Sequence, residues 1–141
     1  MSASVRKSFS LSVSLAIIFA TQTTQADVCV YKPPKVQRVC GVIVDPYGRP
    51  IPNVNVSVLK EKVALETATT DGTGEFDFDS IRSGKYELDA VVPGFQHASY
   101  QLTVSNSAWS CKHALEVKMA VGGIHCDGGM RVTNRSVVRK R

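Results

Sequence analysis

The sequence predicts an all-β fold: a seven-stranded, antiparallel-dominated β-sandwich with extended termini. Three observations predict it. Apolar and polar residues alternate with period two in short segments between positions 41 and 119. Turn residues punctuate those segments at regular intervals. No segment carries the apolar stripe of a helix. One side-chain set of each strand then faces a shared core, and the other meets water.

The elements follow in order. Residues 27–39 hold a Pro33-Pro34 pair and no clean period, which reads as an extended leader packed on the domain. Gly41-Val42-Ile43-Val44 is a short apolar strand, broken by Asp45-Pro46-Tyr47-Gly48-Arg49-Pro50. Val54, Val56 and Val58 alternate with Asn53, Asn55 and Ser57. Val63 and Leu65 open a third strand that ends at Thr70, and Asp71-Gly72-Thr73-Gly74 makes a tight turn. Phe76 and Phe78 alternate with Glu75, Asp77 and Asp79. After Gly84, the residues Tyr86, Leu88, Ala90 and Val92 alternate with Lys85, Glu87 and Asp89 until Pro93-Gly94. Tyr100, Leu102 and Val104 form the sixth strand; Leu115, Val117 and Met119 form the seventh.

Outside this pattern the chain reads as addressing and bracing. Arg6 and Lys7 precede an apolar run from Leu11 to Ala20, and Thr24-Gln25-Ala26 ends in a small residue. That is the layout of a signal peptide over 1–26, with cleavage before Asp27. The run spans only roughly half of a bilayer core, so the released chain is expected not to cross a membrane. The expected location is therefore secreted, periplasmic or extracellular.

The whole chain is +5. The segment from Asp27 to Met130 holds 10 basic and 12 acidic residues, whereas Arg131 to Arg141 holds five basic residues and no acid. A near-neutral body with a basic, solvated tail argues against nucleic acid as a partner. Residues 121–141 read as a cysteine-containing extension ending in that tail. Cys29, Cys40, Cys111 and Cys126 all follow the cleavage site, and an even number in an exported chain predicts two disulfides with three possible pairings.

Three segments carry a resemblance. The run from Gly41 to Val56 resembles the first hairpin of carboxypeptidase regulatory-like domains. Thr69-Thr70-Asp71-Gly72-Thr73-Gly74-Glu75-Phe76 is similar to their second signature, and Ser83-Gly84-Lys85-Tyr86-Glu87-Leu88 with Pro93-Gly94-Phe95 to their third. The resemblance covers residues 40–120. It implies a prealbumin-like, Ig-like sandwich, related to starch-binding modules, in which the first and last strands lie side by side and parallel. On that implication Cys40 pairs with Cys111, and Cys29 with Cys126. Members of this family are usually modules attached to peptidases, receptors or surface proteins.

The sequence offers little reactive chemistry. Intradiol ring-cleaving dioxygenases share the opening hairpin and hold iron with tyrosines and histidines. Here His97, His113 and His125 form no close cluster with Tyr31, Tyr47, Tyr86 or Tyr100 along the chain. Cys111-x-His113 and His125-Cys126 match no strong zinc spacing. Asp71, Glu75, Asp77 and Asp79 lack the spacing of a calcium loop. No Lys in 41–45 faces an Asn in 115–119, so no internal isopeptide link is expected. The expectation is a non-catalytic binding or structural module without cofactor or metal, engaging a protein or glycan at the cell envelope. The alternative is a small carbohydrate-binding module using Trp109, Phe95 and Tyr47, the aromatics placed in loops; a remote alternative is a metal-dependent enzyme on a prealbumin-like fold.

Overall fold

A computed structural model describes residues 31–105, 110–122 and 128–134. Among these residues there is no helix and there are nine strands in two sheets. The strands are β1 (Lys35–Val36), β2 (Val39–Val44), β3 (Asn55–Lys60), β4 (Val63–Thr69), β5 (Glu75–Phe78), β6 (Gly84–Val91), β7 (Ala98–Val104), β8 (Ala114–Lys118) and β9 (Gly129–Thr133). One sheet has the order β1-β7-β6-β3-β4, the other β5-β2-β8-β9.

The seven expected strands are β2 to β8, and the sandwich reaches further at both ends. Before it, β1 pairs in parallel with β7, and Val36 is buried. Thus 35–36 and 39 belong to the sheets rather than to a leader. After it, β9 pairs antiparallel with β8. The basic tail therefore does not begin at Arg131. That residue sits in β9 and holds Glu116 at 2.6 Å, while its neighbour Met130 turns into the core.

Alternation predicts the interior well. Val56 and Val58, Phe76 and Phe78, Tyr86, Leu88 and Ala90, and Leu115 and Val117 all lie in one buried cluster. Two strands depart from it. All six residues of β2 are buried, as a central strand covered on both faces requires. No residue of β4 is fully buried, because it is the edge of its sheet. The parallel pairing of β2 with β8 sets Gly41 against Leu115, and Cys40 is bonded to Cys111 with their Cα atoms 6.1 Å apart. Cys29 and Cys126 lie outside the described residues.

Candidate functional site

The register collects loops at one end of the sandwich. Strand ends at Val44, Val91 and Lys118 and strand starts at Asn55, Glu75 and Ala98 share that end. The loops at 45–53, 70–74 and 92–97 are therefore neighbours. Two of them are built by carboxylates. The Asp45 side chain accepts the backbone N–H groups of Tyr47 and Arg49, both at 2.9 Å, and the Arg49 Nε at 2.6 Å. Desolvation pushes its carboxyl up, but these hydrogen bonds together outweigh that and hold it below the ordinary value. Asp71 Oδ1 accepts from the Thr73 hydroxyl and from the N–H groups of Thr73 and Glu75. The Thr73 hydroxyl is the main reason its carboxyl is also held low. Gly74 completes that turn at φ 73°, where a Cβ would lie 2.9 Å from the Ile43 carbonyl oxygen.

The loop aromatics are placed differently from one another. Tyr47 is 83% exposed, with the Arg49 guanidinium carbon 5.2 Å from its ring centroid. Phe95 is half-buried and packs against the core. Trp109 lies outside the described residues. Ser105 and Cys111, which flank its loop, stand at the opposite end of the sandwich, beside Val36 and Cys40 respectively.

The titratable residues singled out in the sequence are engaged separately. Asp77 binds the Arg38 Nε at 2.6 Å, and His113 Nδ1 lies 3.2 Å from Asn134 Oδ1. Cys111 is in the disulfide. Among the described residues no three His, Cys, Asp or Glu side chains stand together in a way that could hold a metal. His125 lies outside those residues.

A surface that sequence reasoning did not single out is the outer face of the five-stranded sheet. It carries an open groove of about 480 Å³ whose lining includes Leu59, Lys62, Lys85, Glu87, Gln101 and Thr103. Glu87 accepts from Lys62 at 2.6 Å and from the Ser99 hydroxyl at 2.5 Å, and chiefly Lys62 holds its carboxyl low. Further along the strand, Asp89 Oδ2 lies 3.1 Å from His97 Nε2, while its Oδ1 is buried without a hydrogen-bond partner. The available signal was the outward set of each strand: Lys85, Glu87 and Asp89 beside Ser99, Gln101 and Thr103. Alternation marks such residues as solvent-facing without saying that two strands align them. A second cleft, of about 320 Å³, lies beside the disulfide between β4 and β5, where Cys40, Cys111, Thr69, Phe76 and Asp77 meet.

Comparison with known proteins agrees with this architecture. Residues 38–110 match the family described as carboxypeptidase regulatory-like domain. The 5-hydroxyisourate hydrolase of Klebsiella pneumoniae is similar in structure, with a TM-score of 0.52 and 20% identity over 68% of this chain and 98% of that one. At that identity the likeness is one of fold. No curated protein matches. With its three signatures in register on a two-sheet sandwich, and the match covering more than half of its length, the chain belongs to the carboxypeptidase regulatory-like domain family.

Proposed function

We propose that the protein is an exported, disulfide-braced, non-catalytic module that binds a protein partner at the cell envelope through the outer face of its five-stranded sheet. One observation carries this reading. The space between the sheets is filled with apolar side chains, whereas the open groove outside holds paired charges at Lys62–Glu87. An open groove whose charged and polar side chains are held in fixed pairs suits recognition of a polar partner surface. The Cys40–Cys111 bond accords with an oxidising compartment, and no helix among the described residues is long and apolar enough to cross a membrane.

The test is capture of partners from an envelope fraction by the purified protein and by the variants Glu87→Lys and Gln101→Lys. Loss of the captured protein in both variants supports the reading. Capture unchanged by either sinks the groove as the binding surface, and turnover of a small molecule by the purified protein sinks the non-catalytic part. A second reading, carbohydrate binding, is favoured by the exposure of Tyr47 and its Arg49 partner, a flat face on which a sugar ring can stack. Glycan-array binding that disappears in Tyr47→Ala or Trp109→Ala selects it.

A further inference from the structure

The charges around the groove are not balanced. On the outer face of the five-stranded sheet, both carboxylates of β6 are engaged: Glu87 holds Lys62, and Asp89 faces His97. Three lysines at the groove end of that sheet, Lys35, Lys60 and Lys85, have no ion-pair partner among the described residues. The register sets Lys35 of β1 and Lys85 of β6 on either side of Thr103 of β7, so these residues form one row across the strands on that face. Lys60 ends β3, with its Nζ 6.0 Å from the ring centroid of Tyr86, which lines the groove. Against the three ammonium groups stands one carboxylate of the groove lining that holds no cation, Glu61. Two acidic side chains, Asp27 and Asp127, lie outside the described residues, fewer than the three lysines.

The spacing and chemistry of the groove say what balances it. Lys35 and Lys85 rise from strands with one strand between them, so their backbones are about 10 Å apart. In an extended peptide, side chains on one face recur about every 7 Å. A segment crossing the strands with carboxylates at alternate positions therefore meets both lysines, whose flexible stems take up the difference. Between the two lysines, the Gln101 amide and the Thr103 hydroxyl hold no hydrogen bond within the described residues. They are free to take peptide N–H and C=O groups. No arginine lines the groove, so the planar fork that matches phosphate and sulfate is missing, and the ammonium groups act as point charges.

We infer that the occupant of the groove is an extended acidic segment of the partner protein, its alternate carboxylates held by Lys35, Lys85 and Lys60. This rests on the groove being the binding surface, and it adds the chemistry of what binds there. Charge complementarity of this kind fixes register and speeds encounter, and it weakens as salt screens it.

The experiment is fluorescence anisotropy of a labelled hexaglutamate peptide titrated with the purified, oxidised protein at low ionic strength, beside a hexaglutamine peptide. Circular dichroism confirms that each variant is folded. The wild type is expected to bind hexaglutamate and not hexaglutamine, and to bind it more weakly as salt is added. Lys35→Glu and Lys85→Glu are each expected to raise the dissociation constant about tenfold. Lys118→Glu, at the loop end of the other sheet, is expected to change it by less than about twofold. No hexaglutamate binding, equal binding of hexaglutamine, or an affinity unmoved by both reversals overturns the inference. Lysine-dependent binding to phosphatidylserine vesicles or to a sulfated polysaccharide in place of the peptide overturns it as well. Failure of the groove itself reads differently. Partner capture lost with Gln101→Lys, whose longer chain obstructs the middle of the groove, yet kept with both reversals, leaves the groove as the binding surface and removes the acidic segment from it. Capture kept in every variant removes the groove too.

Discussion

Gly41 is where backbone crowding is most severe. It lies on β2 opposite Leu115 of β8, in the parallel pairing at the centre of the four-stranded sheet. A Cβ on Gly41 would sit 2.0 Å from the Leu115 carbonyl oxygen, 2.7 Å from its carbon and 2.9 Å from its nitrogen. Ordinary contact begins near 3.4 Å. All three neighbours are backbone, so no rotamer change relieves the overlap, and the strands must part by more than about 1 Å. Parting weakens the adjoining ladder. Two or three net hydrogen bonds at about 1 kcal/mol each, plus overpacking of about 1–3 kcal/mol, put Gly41→Ala near 4 kcal/mol of lost stability. With a urea slope of about 1.5 kcal/mol per molar for a domain of this size, the midpoint falls by roughly 2–3 M. Gly48→Ala is the control. Gly48 has φ 82° but nothing within 4 Å of a built Cβ, so it bears only the left-handed backbone cost, about 1–2 kcal/mol. Urea unfolding followed by circular dichroism compares the two. Equal losses, or a Gly41→Ala midpoint within error of wild type, would refute the steric argument and with it the packing of β2 on β8.

Other consequences follow from the same structure. Cys40 and Cys111 close a loop with a sequence separation of 71, so replacing both with alanine is expected to lower unfolding free energy by about 4 kcal/mol, read by urea unfolding against the oxidised wild type. Thr70 is buried; its hydroxyl donates to the Ile51 carbonyl at 2.9 Å and accepts the Val54 N–H at 2.8 Å, so Thr70→Val, which strands both groups, is expected to cost about 2–4 kcal/mol despite its matched shape. The carboxyls of Asp71 and Glu87 are held below their unfolded values, by the Thr73 hydroxyl and by Lys62 first of all. Their contribution is therefore present above about pH 4 and lost as acid protonates the folded state. Asp71→Asn should flatten the acid limb of a stability–pH curve measured by urea unfolding.

Most of the sandwich was legible because period-two alternation is what a half-buried strand imposes on its residues; six of the seven expected strands show it, and β2 stands out as a short apolar run closed by turn residues. The others hid for particular reasons. The two residues of β1 are too few to display a period, and Pro33-Pro34 immediately before them reads as a break. In β9, Met130 and Val132 do alternate with Arg131, but so short a pattern sets no period against the basic residues that begin at Arg131. For β4 the pattern identified the strand but not its position: Val63 and Leu65 look like core residues in sequence, and only sheet order makes them exposed. The turn at Asp71-Gly72-Thr73-Gly74 was evident from its residues. That Asp71 Oδ1 holds it was not, since hydrogen-bond partners are a property of the folded loop. The outer face of β6 and β7 was missed for a related reason. Polar residues on a solvent-facing side are the bland expectation of any strand, and their convergence across Glu87, Ser99 and Lys62 depends on register.

The likeness to a hydrolase raises the question of where catalysis would reside if this sandwich supported any. At the loop end, Asp45 holds its own turn with both carboxylate oxygens and Asp71 holds its turn with Oδ1, and Thr70 is tied to Ile51 and Val54. The two carboxylates, held low by those hydrogen bonds, are weak bases for a substrate proton. Asp89 differs. One of its oxygens faces His97 Nε2 at 3.1 Å, and the other is buried and unpaired. A carboxylate that orients a histidine is a recognised part of base catalysis, but a third group is needed to receive or supply the proton. The hydroxyls on hand are those of Ser57 and Ser99, which the register sets across from Asp89, and they are engaged with Thr67 and Glu87. The pair is therefore read as surface bracing. On that reading Asp89→Asn and His97→Ala each leave the protein folded, and His97→Ala, at a side chain 56% exposed, shifts stability by less than about 1 kcal/mol. Any ester- or amide-cleaving activity in the purified protein should then be indifferent to both substitutions. Activity abolished by each substitution, in protein that remains folded, would place a catalytic centre on this sheet face and reverse the assignment.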